Sequence, residues 1–174
     1  MPPSPISPAA SPEYSLVDAA ASYDWWMAKD ECESNGGSLP VIQSAQENAD
    51  LVAFMTTNSV ARVWLALTDS YQEGYYEWAV SDEHRFPLGT YTNWATDHPS
   101  TTSFAHDCTD MPSALAQWRH RSCNQLKPLI CRIHATGRRR LEEKDELPAL
   151  PAPASVGGDS ASKTNEHLLN RLLL

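Results

Sequence analysis

Four cysteines, Cys32, Cys108, Cys123 and Cys131, constrain what this chain can fold into more than any other feature. They are separated by 76, 15 and 8 residues and none forms a C-x-x-C pair, which disfavours zinc-ribbon and thioredoxin-like patterns. An even number at wide spacing predicts two disulfides, with all three possible connectivities open, and therefore an extracellular or secretory-lumen setting. The segment MPPSPISPAASPE at residues 1–13 has no basic start and no apolar stretch. It cannot act as a secretory leader, so a leader is expected to be missing from the sequence as given. No apolar run is long enough to span a bilayer.

Hydrophobic periodicity divides the chain. Residues 1–13 are Pro/Ser-rich and predict a disordered arm. A short strand is expected over Tyr14–Val17. A first helix follows, with Trp25, Ala28 and Cys32 on one face, Asp24 as its cap and Gly36-Gly37 at its end. Ser44-Ala-Gln-Glu47 reads as a capping box that opens a second helix carrying Leu51, Phe54 and Met55 and ending near Asn58. Val63-Trp64-Leu65-Ala66-Leu67 is a continuous apolar run of strand length, expected to be buried on both sides. From Asp69 to Ala116 the chain is turn-rich and aromatic, with Trp78 and Trp94 as anchors, and an irregular stretch of that length usually carries function. Two last strands are expected at Ala116–Trp118 and Leu129–Ile133. Composition shifts after His134, so one domain over residues 14–134 and a disordered tail over 135–174 are predicted.

The net charge of −9 is uneven, because residues 14–134 hold 15 acidic and 7 basic residues whereas residues 135–174 hold 6 of each. A domain of that sign repels phosphate backbones, which argues against nucleic acid and anionic membranes and favours a cationic or neutral ligand, although negative charge also serves solubility alone.

The order of these features resembles the C-type lectin-like domain family over about 120 residues. Cys32 is followed by Gly36-Gly37-Ser38-Leu39 and the Ser44 box. Val63–Leu67 stands where the family has a Trp-Ile-Gly-Leu strand, with Ala66 in place of glycine. Glu73-Gly74-Tyr75-Tyr76-Glu77-Trp78 and Tyr91-Thr92-Asn93-Trp94 look like its loop anchors. Cys108, Trp118, Cys123 and Pro128-Leu129-Ile130-Cys131 look like its C-terminal signature. The resemblance implies an α+β fold with two helices, small antiparallel sheets and a long loop region. It also implies the pairings Cys32–Cys131 and Cys108–Cys123.

Sugar-binding members of that family hold calcium with Glu-Pro-Asn or Gln-Pro-Asp and with an Asn-Asp pair after the signature Trp. Here the matching positions read His98-Pro99-Ser100 and Trp118-Arg119-His120. A hard cation needs several oxygens, and Arg119 offers no acceptor at all. Asp107 is the one plausible oxygen donor left, so no cofactor is expected and calcium at the sugar site is disfavoured. The predicted contact surface comprises Tyr75, Tyr91, Trp94, His98, Pro99, Ser100, Asp107, Arg119, His120 and Arg121, side chains that suit a protein or a glycan ligand. Trp78, Trp94 and Trp118 are more often loop-core packing. A weaker alternative gathers His98, His106 and His120, with Asp107, around zinc or copper.

Catalysis is not expected. No G-x-S-x-G, H-E-x-x-H or Gly-rich phosphate loop is present, and the adjacent Asp82-Glu83 pair reads as solvated. In the tail, Arg138-Arg139-Arg140 reads as a solvated linker and Lys144-Asp-Glu-Leu147 as an internal, inactive retention tetrapeptide. Residues 167–174 (HLLNRLLL) offer a short apolar helical face for weak oligomer contact. Three functions follow: calcium-independent ligand recognition first, then a lectin reading carbohydrate through aromatic and Arg/His contacts, then a structural part of a secreted assembly.

Overall fold

The computed structural model describes residues 12–100 and 105–134. The tail motifs and residues 1–11 of the N-terminal arm lie outside these residues, whereas Glu13, expected in the arm, already opens the first strand.

The chain alternates short strands with two helices: β1 (Glu13–Tyr23), α1 (Trp25–Ser34), β2 (Gly37–Ser38), α2 (Ala45–Thr57), β3 (Arg62–Thr68), β4 (Glu77–Ala79), β5 (Arg85–Pro87), β6 (Cys108–Pro112), β7 (Arg119–Arg121) and β8 (Lys127–Ile133). The strands form two sheets, ordered β1-β8-β2 and β5-β4-β3-β6-β7. Every pairing within them is antiparallel. This is the predicted α+β class.

Local chemistry sets the helix ends. Asp24 caps α1 by accepting the Met27 N–H at 2.8 Å, and Gly36 leaves the helix at φ +74°. Trp25, Ala28 and Cys32 are its buried face, and Trp25 Nε1 donates to the Leu65 carbonyl at 2.8 Å. At α2 the Ser44 hydroxyl accepts the Glu47 N–H at 3.2 Å, but Glu47 returns to the Gln43 N–H at 2.6 Å and not to Ser44. Its other oxygen is 3.2 Å from Arg132 of β8, so the expected capping box also ties helix to sheet.

β3 is buried from Val63 to Thr68, as its unbroken apolar run predicts. The strand expected at Ala116–Trp118 is displaced to Arg119–Arg121. Ala116 takes φ +56° in a turn, and Trp118 pairs only through an isolated bridge to Trp94. The stretch from Asp69 to Ala116 is less irregular than expected, since it contains β4, β5 and β6. The last of these is fully buried between β3 and β7.

Both disulfides join the pairs that the resemblance implies. Cys32–Cys131 links α1 to β8 across 99 residues, and Cys108–Cys123 links β6 to the turn after β7 across 15. Trp118 is the post of the loop region. Its ring meets Trp78, Tyr91 and Trp94 edge-on at 5.6, 5.7 and 5.7 Å, and its Nε1 donates to Asn48 Oδ1 at 2.9 Å. Asp82, expected to be solvated, is exposed but accepts from Lys29 Nζ at 2.6 Å.

Candidate functional site

β7 organises the site because a strand sends alternate side chains to opposite faces. Arg119 and Arg121 therefore stand on one face and His120 on the other, and the predicted contact residues divide into two groups.

On the outer face, Arg119 lies across the ladder from Asp110 of β6 and grips it with Nε and Nη2, both at 3.0 Å. Arg121 Nε is 4.0 Å from the same carboxylate. The loop bearing His98, Pro99 and Ser100 abuts this face through a cis His98–Pro99 bond, and His98 Nδ1 accepts the His120 backbone N–H at 3.2 Å. Burial and then the Arg121 and Arg119 charges push the His98 imidazole below its ordinary pKa, so it is neutral at pH 7.

On the inner face, His120 is only 1% exposed, which removes it from the predicted contact surface. Its Nε2 faces Asp69 Oδ1 at 3.3 Å. Burial is the main cause that holds its pKa down. Asp69, equally buried, accepts the Gly74 N–H on Oδ2 at 3.0 Å, closing the turn where Gly74 takes φ +75°. Asp107 places Oδ1 in the interior without a hydrogen-bond partner, while its carbonyl accepts from the Asp69 N–H and the Thr68 hydroxyl. Ligand atoms of Asp69, Asp107 and His120 all lie within 4.8 Å of one another. Tyr76 packs its ring on His120 at 5.6 Å, and burial followed by the nearby Asp69 charge drives its hydroxyl pKa up.

Three imidazoles do not form the cluster. His106 meets His120 edge-on at 6.1 Å, while His98 has turned its Nδ1 to the β7 backbone. The group that the fold assembles is two carboxylates and one imidazole. Of the aromatic residues predicted for contact, Tyr91 and Trp94 pack on Trp118, whereas Tyr75 is 43% exposed. A separate cleft of about 620 Å³ is lined by Glu33, Val80, His84, Phe86, Arg132 and His134 and contains none of the predicted contact residues.

Four residues of this region carry no sequence motif that singles them out: Asp69, Asp110, Arg62 and Lys127. Asp110 could have been found by counting in twos from Cys108, which places it on the ladder that β7 must cross. Arg62 lies two residues before Trp64 and shares its face by the same count. Asp69 and Lys127 gave no local signal, since a cross-strand ion pair has no fixed sequence spacing.

Residues 21–133 match the family described as lectin C-type domain. Among curated proteins, the chain is 32% identical to the hepatic lectin of Gallus gallus over 108 residues, covering 62% of this chain and 48% of that protein. It is 26% identical to collectin-11 of Bos taurus over 100 residues, covering 58% of this chain and 36% of that protein. The chain thus spans half or less of these two relatives. Among solved structures, the carbohydrate-recognition domain of the human scavenger receptor C-type lectin superposes with TM-score 0.58 at 22% identity, covering 72% of this chain and 92% of that one. Human lithostathine superposes with TM-score 0.61 at 20% identity, covering 73% and 86%. These two superpositions concern the fold alone. The family match covers well over half of the chain, both disulfides join the pairs that the resemblance implies, and this protein belongs to the C-type lectin domain family.

Proposed function

We propose that this domain is a recognition module, not an enzyme, and that it binds its ligand without calcium through the outer face of β7 and the loop at His98–Ser100. One observation carries the reading: the side chains at the family's calcium positions are already engaged with the protein itself. Arg119 spends its fork on Asp110, and His98 Nδ1 accepts from the β7 backbone. Neither can donate an oxygen to a hard cation that takes about six to eight oxygens. On the inner face, Asp69 and Asp107 add two carboxylates, but an imidazole completes the trio. Such a set suits a softer divalent metal better than calcium.

Support for a non-catalytic role comes from the side chains that resemble catalytic ones. Among the described residues no cysteine is free. Ser38 Oγ does contact His134 Nε2 at 3.2 Å, but Ser38 is fully buried and also bonds the Leu39 carbonyl. His134 is held below its ordinary pKa by burial and then by Arg132 and His84, with no carboxylate among these causes to orient it as a base. Carbohydrate is the favoured ligand class, because the relatives include a hepatic lectin. The two disulfides support a site of action outside the cytosol.

Thermal unfolding of the oxidised protein in calcium and in chelator tests the reading, since a ligand bound only by the native state must raise the midpoint. The same midpoint in both is expected. A rise in calcium would show that other loop oxygens rebuild the site and would overturn calcium independence.

A further inference from the structure

On the outer face of β6 and β7, four cations surround one carboxylate. Trp64 of β3, Asp110 of β6 and Arg119 of β7 are successive cross-strand partners, so their side chains stand in one row. Two residues to either side of that row, Arg62 stands opposite Pro112 and Arg121 opposite Cys108, so the two share its face and reach Asp110 from opposite ends. Lys127, at the start of β8, reaches the group with Nζ 3.7 Å from the Trp64 ring centroid and 3.4 Å from Asp110 Oδ2.

These cations are unequal. Asp110 is fully buried and its two oxygens are met by the Arg119 fork, with Lys127 as a second, buried counter-charge. That pair already satisfies the carboxylate. Arg62 and Arg121 stand off at 3.8 and 4.0 Å, with side chains 50% and 30% exposed, and among the described residues Asp110 is the only carboxylate paired with either. They add positive charge that the fold does not need, within a chain whose net charge is −9. Burial and then the Arg119 guanidinium push the Arg121 pKa down, as expected for a cation short of negative partners.

We infer that Arg62 and Arg121 form a subsite for an anionic substituent, a sulfate ester or a carboxylate, on a carbohydrate ligand. Planar guanidinium forks match the paired oxygens of such groups. Asp110 and Arg119 act beneath them as a fixed base that holds the spacing. His98, whose pKa responds to Arg121 and Arg119, places the subsite beside the His98–Ser100 loop. The inference rests on the recognition surface proposed above and gives that surface a charge preference.

Calorimetric titration of the whole protein in chelator provides the test, using a heparin-derived tetrasaccharide, its desulfated form, its carboxyl-reduced form and the form lacking both groups. At least one charged form should bind about tenfold or more tightly than the uncharged form, the scale of one charge-assisted contact. Which charged form does so identifies sulfate or carboxylate as the source. In Arg62→Gln and Arg121→Gln the preference should shrink to about twofold, while Arg62→Lys should keep part of it. Thermal midpoints equal to wild type show that these surface variants are folded.

Equal binding of charged and uncharged forms overturns the inference and leaves calcium-free recognition standing. Binding that returns only when calcium is restored shows instead that the underlying reading fails. A charge preference unaltered in both glutamine variants overturns the assignment to these arginines. Poly-glutamate binding with no tetrasaccharide binding moves the subsite to acidic protein, and silence from every probe overturns it outright.

Discussion

Replacing Asp110 with asparagine tests the electrostatic frame of the site. Lys127 sits at about 8 in the fold against an ordinary 10.5, chiefly through burial and with Asp110 as the main opposing influence. At about 1.4 kcal/mol per pKa unit, that depression already costs the native state about 3 kcal/mol at pH 7. Removing the carboxylate lowers the pKa further, but the cost saturates once the lysine releases its proton, so Lys127 adds only about 1 kcal/mol. Arg119 has no such escape. Asparagine leaves it one neutral acceptor in place of two charged ones, a loss of about 2 kcal/mol. The expected total is about 3 to 4 kcal/mol, within the range for breaking a buried ion pair from one side. At about 4 °C per kcal/mol for a domain of this size, the midpoint should fall by about 12 to 16 °C. Urea unfolding with disulfides intact measures the difference directly. Wild-type stability should also rise from pH 8 toward 10, because there the unfolded lysine still binds the proton that the native one has released. Above pH 10 it should fall, since native Tyr14 and Tyr76 resist ionisation. A loss under about 1 kcal/mol for Asp110→Asn, set against the 3 to 5 kcal/mol typical of one-sided pair breaking, would refute its role as the required counter-charge.

Replacing Cys32 and Cys131 together by serine should cost about 4 to 5 kcal/mol, against about 3 kcal/mol for Cys108 and Cys123, because the first bridge closes the longer loop. Denaturant midpoints of the two variants rank them, and the reverse order would contradict the loop-closure account. Gly37→Ala would press a Cβ into the Arg132 carbonyl where β2 pairs with β8, whereas a Cβ on Gly89 meets nothing within 4 Å. A loss of about 1 to 3 kcal/mol with faster amide exchange at Ser38 is expected for the first only, and equal stability of both variants would refute it. Burial holds native His120 below its ordinary 6.5, so as pH falls beneath 6.5 the unfolded chain takes up a proton that the native chain refuses, and stability declines. His98 and His134 act in the same direction, so thermal midpoints from pH 7 to 5 should slope less in His120→Gln, and an unchanged slope would exclude this cause.

The fold was legible where a residue type has one physical solution. Four widely spaced cysteines demanded long-range bridges, Ser44 and Glu47 marked a helix start, and the run from Val63 to Leu67 could only be a buried strand. The strands after Asp69 were hidden for an equally physical reason. β4 and β5 are three residues each, too short for periodicity to register. β6 reads Cys-Thr-Asp-Met-Pro yet is buried throughout: cross-strand cations compensate Asp110, while the Thr109 hydroxyl is buried without a hydrogen-bond partner. Trp118 drew the expected strand three residues early, since Ala116-Gln117-Trp118 alternates like a strand until the positive φ of Ala116 is known. At the site, Arg119 and His120 were legible as departures from the family's pattern, and Arg121 as a contact residue beside them. Their division between two faces was not, and it separates a buried imidazole from partly accessible guanidiniums.

Net charge shows the same limit more sharply. An excess of acidic residues in the domain argued for a cationic or neutral ligand, but a sum of charges has no position. At physiological ionic strength a surface charge is felt over about 8 Å, so a ligand docking at β7 responds to Arg62, Arg119, Arg121 and Asp110 far more than to distant carboxylates such as Asp30 or Asp82. Those two also belong to another circuit, since both lie within ion-pair distance of Lys29. The acidic surface then acts at longer range, slowing the approach of a polyanion without deciding which of its groups the cluster holds once docked. A domain built this way discriminates by where a ligand carries its negative charge, and an isolated sulfate or carboxylate on an otherwise neutral glycan satisfies both the local cluster and the surrounding field.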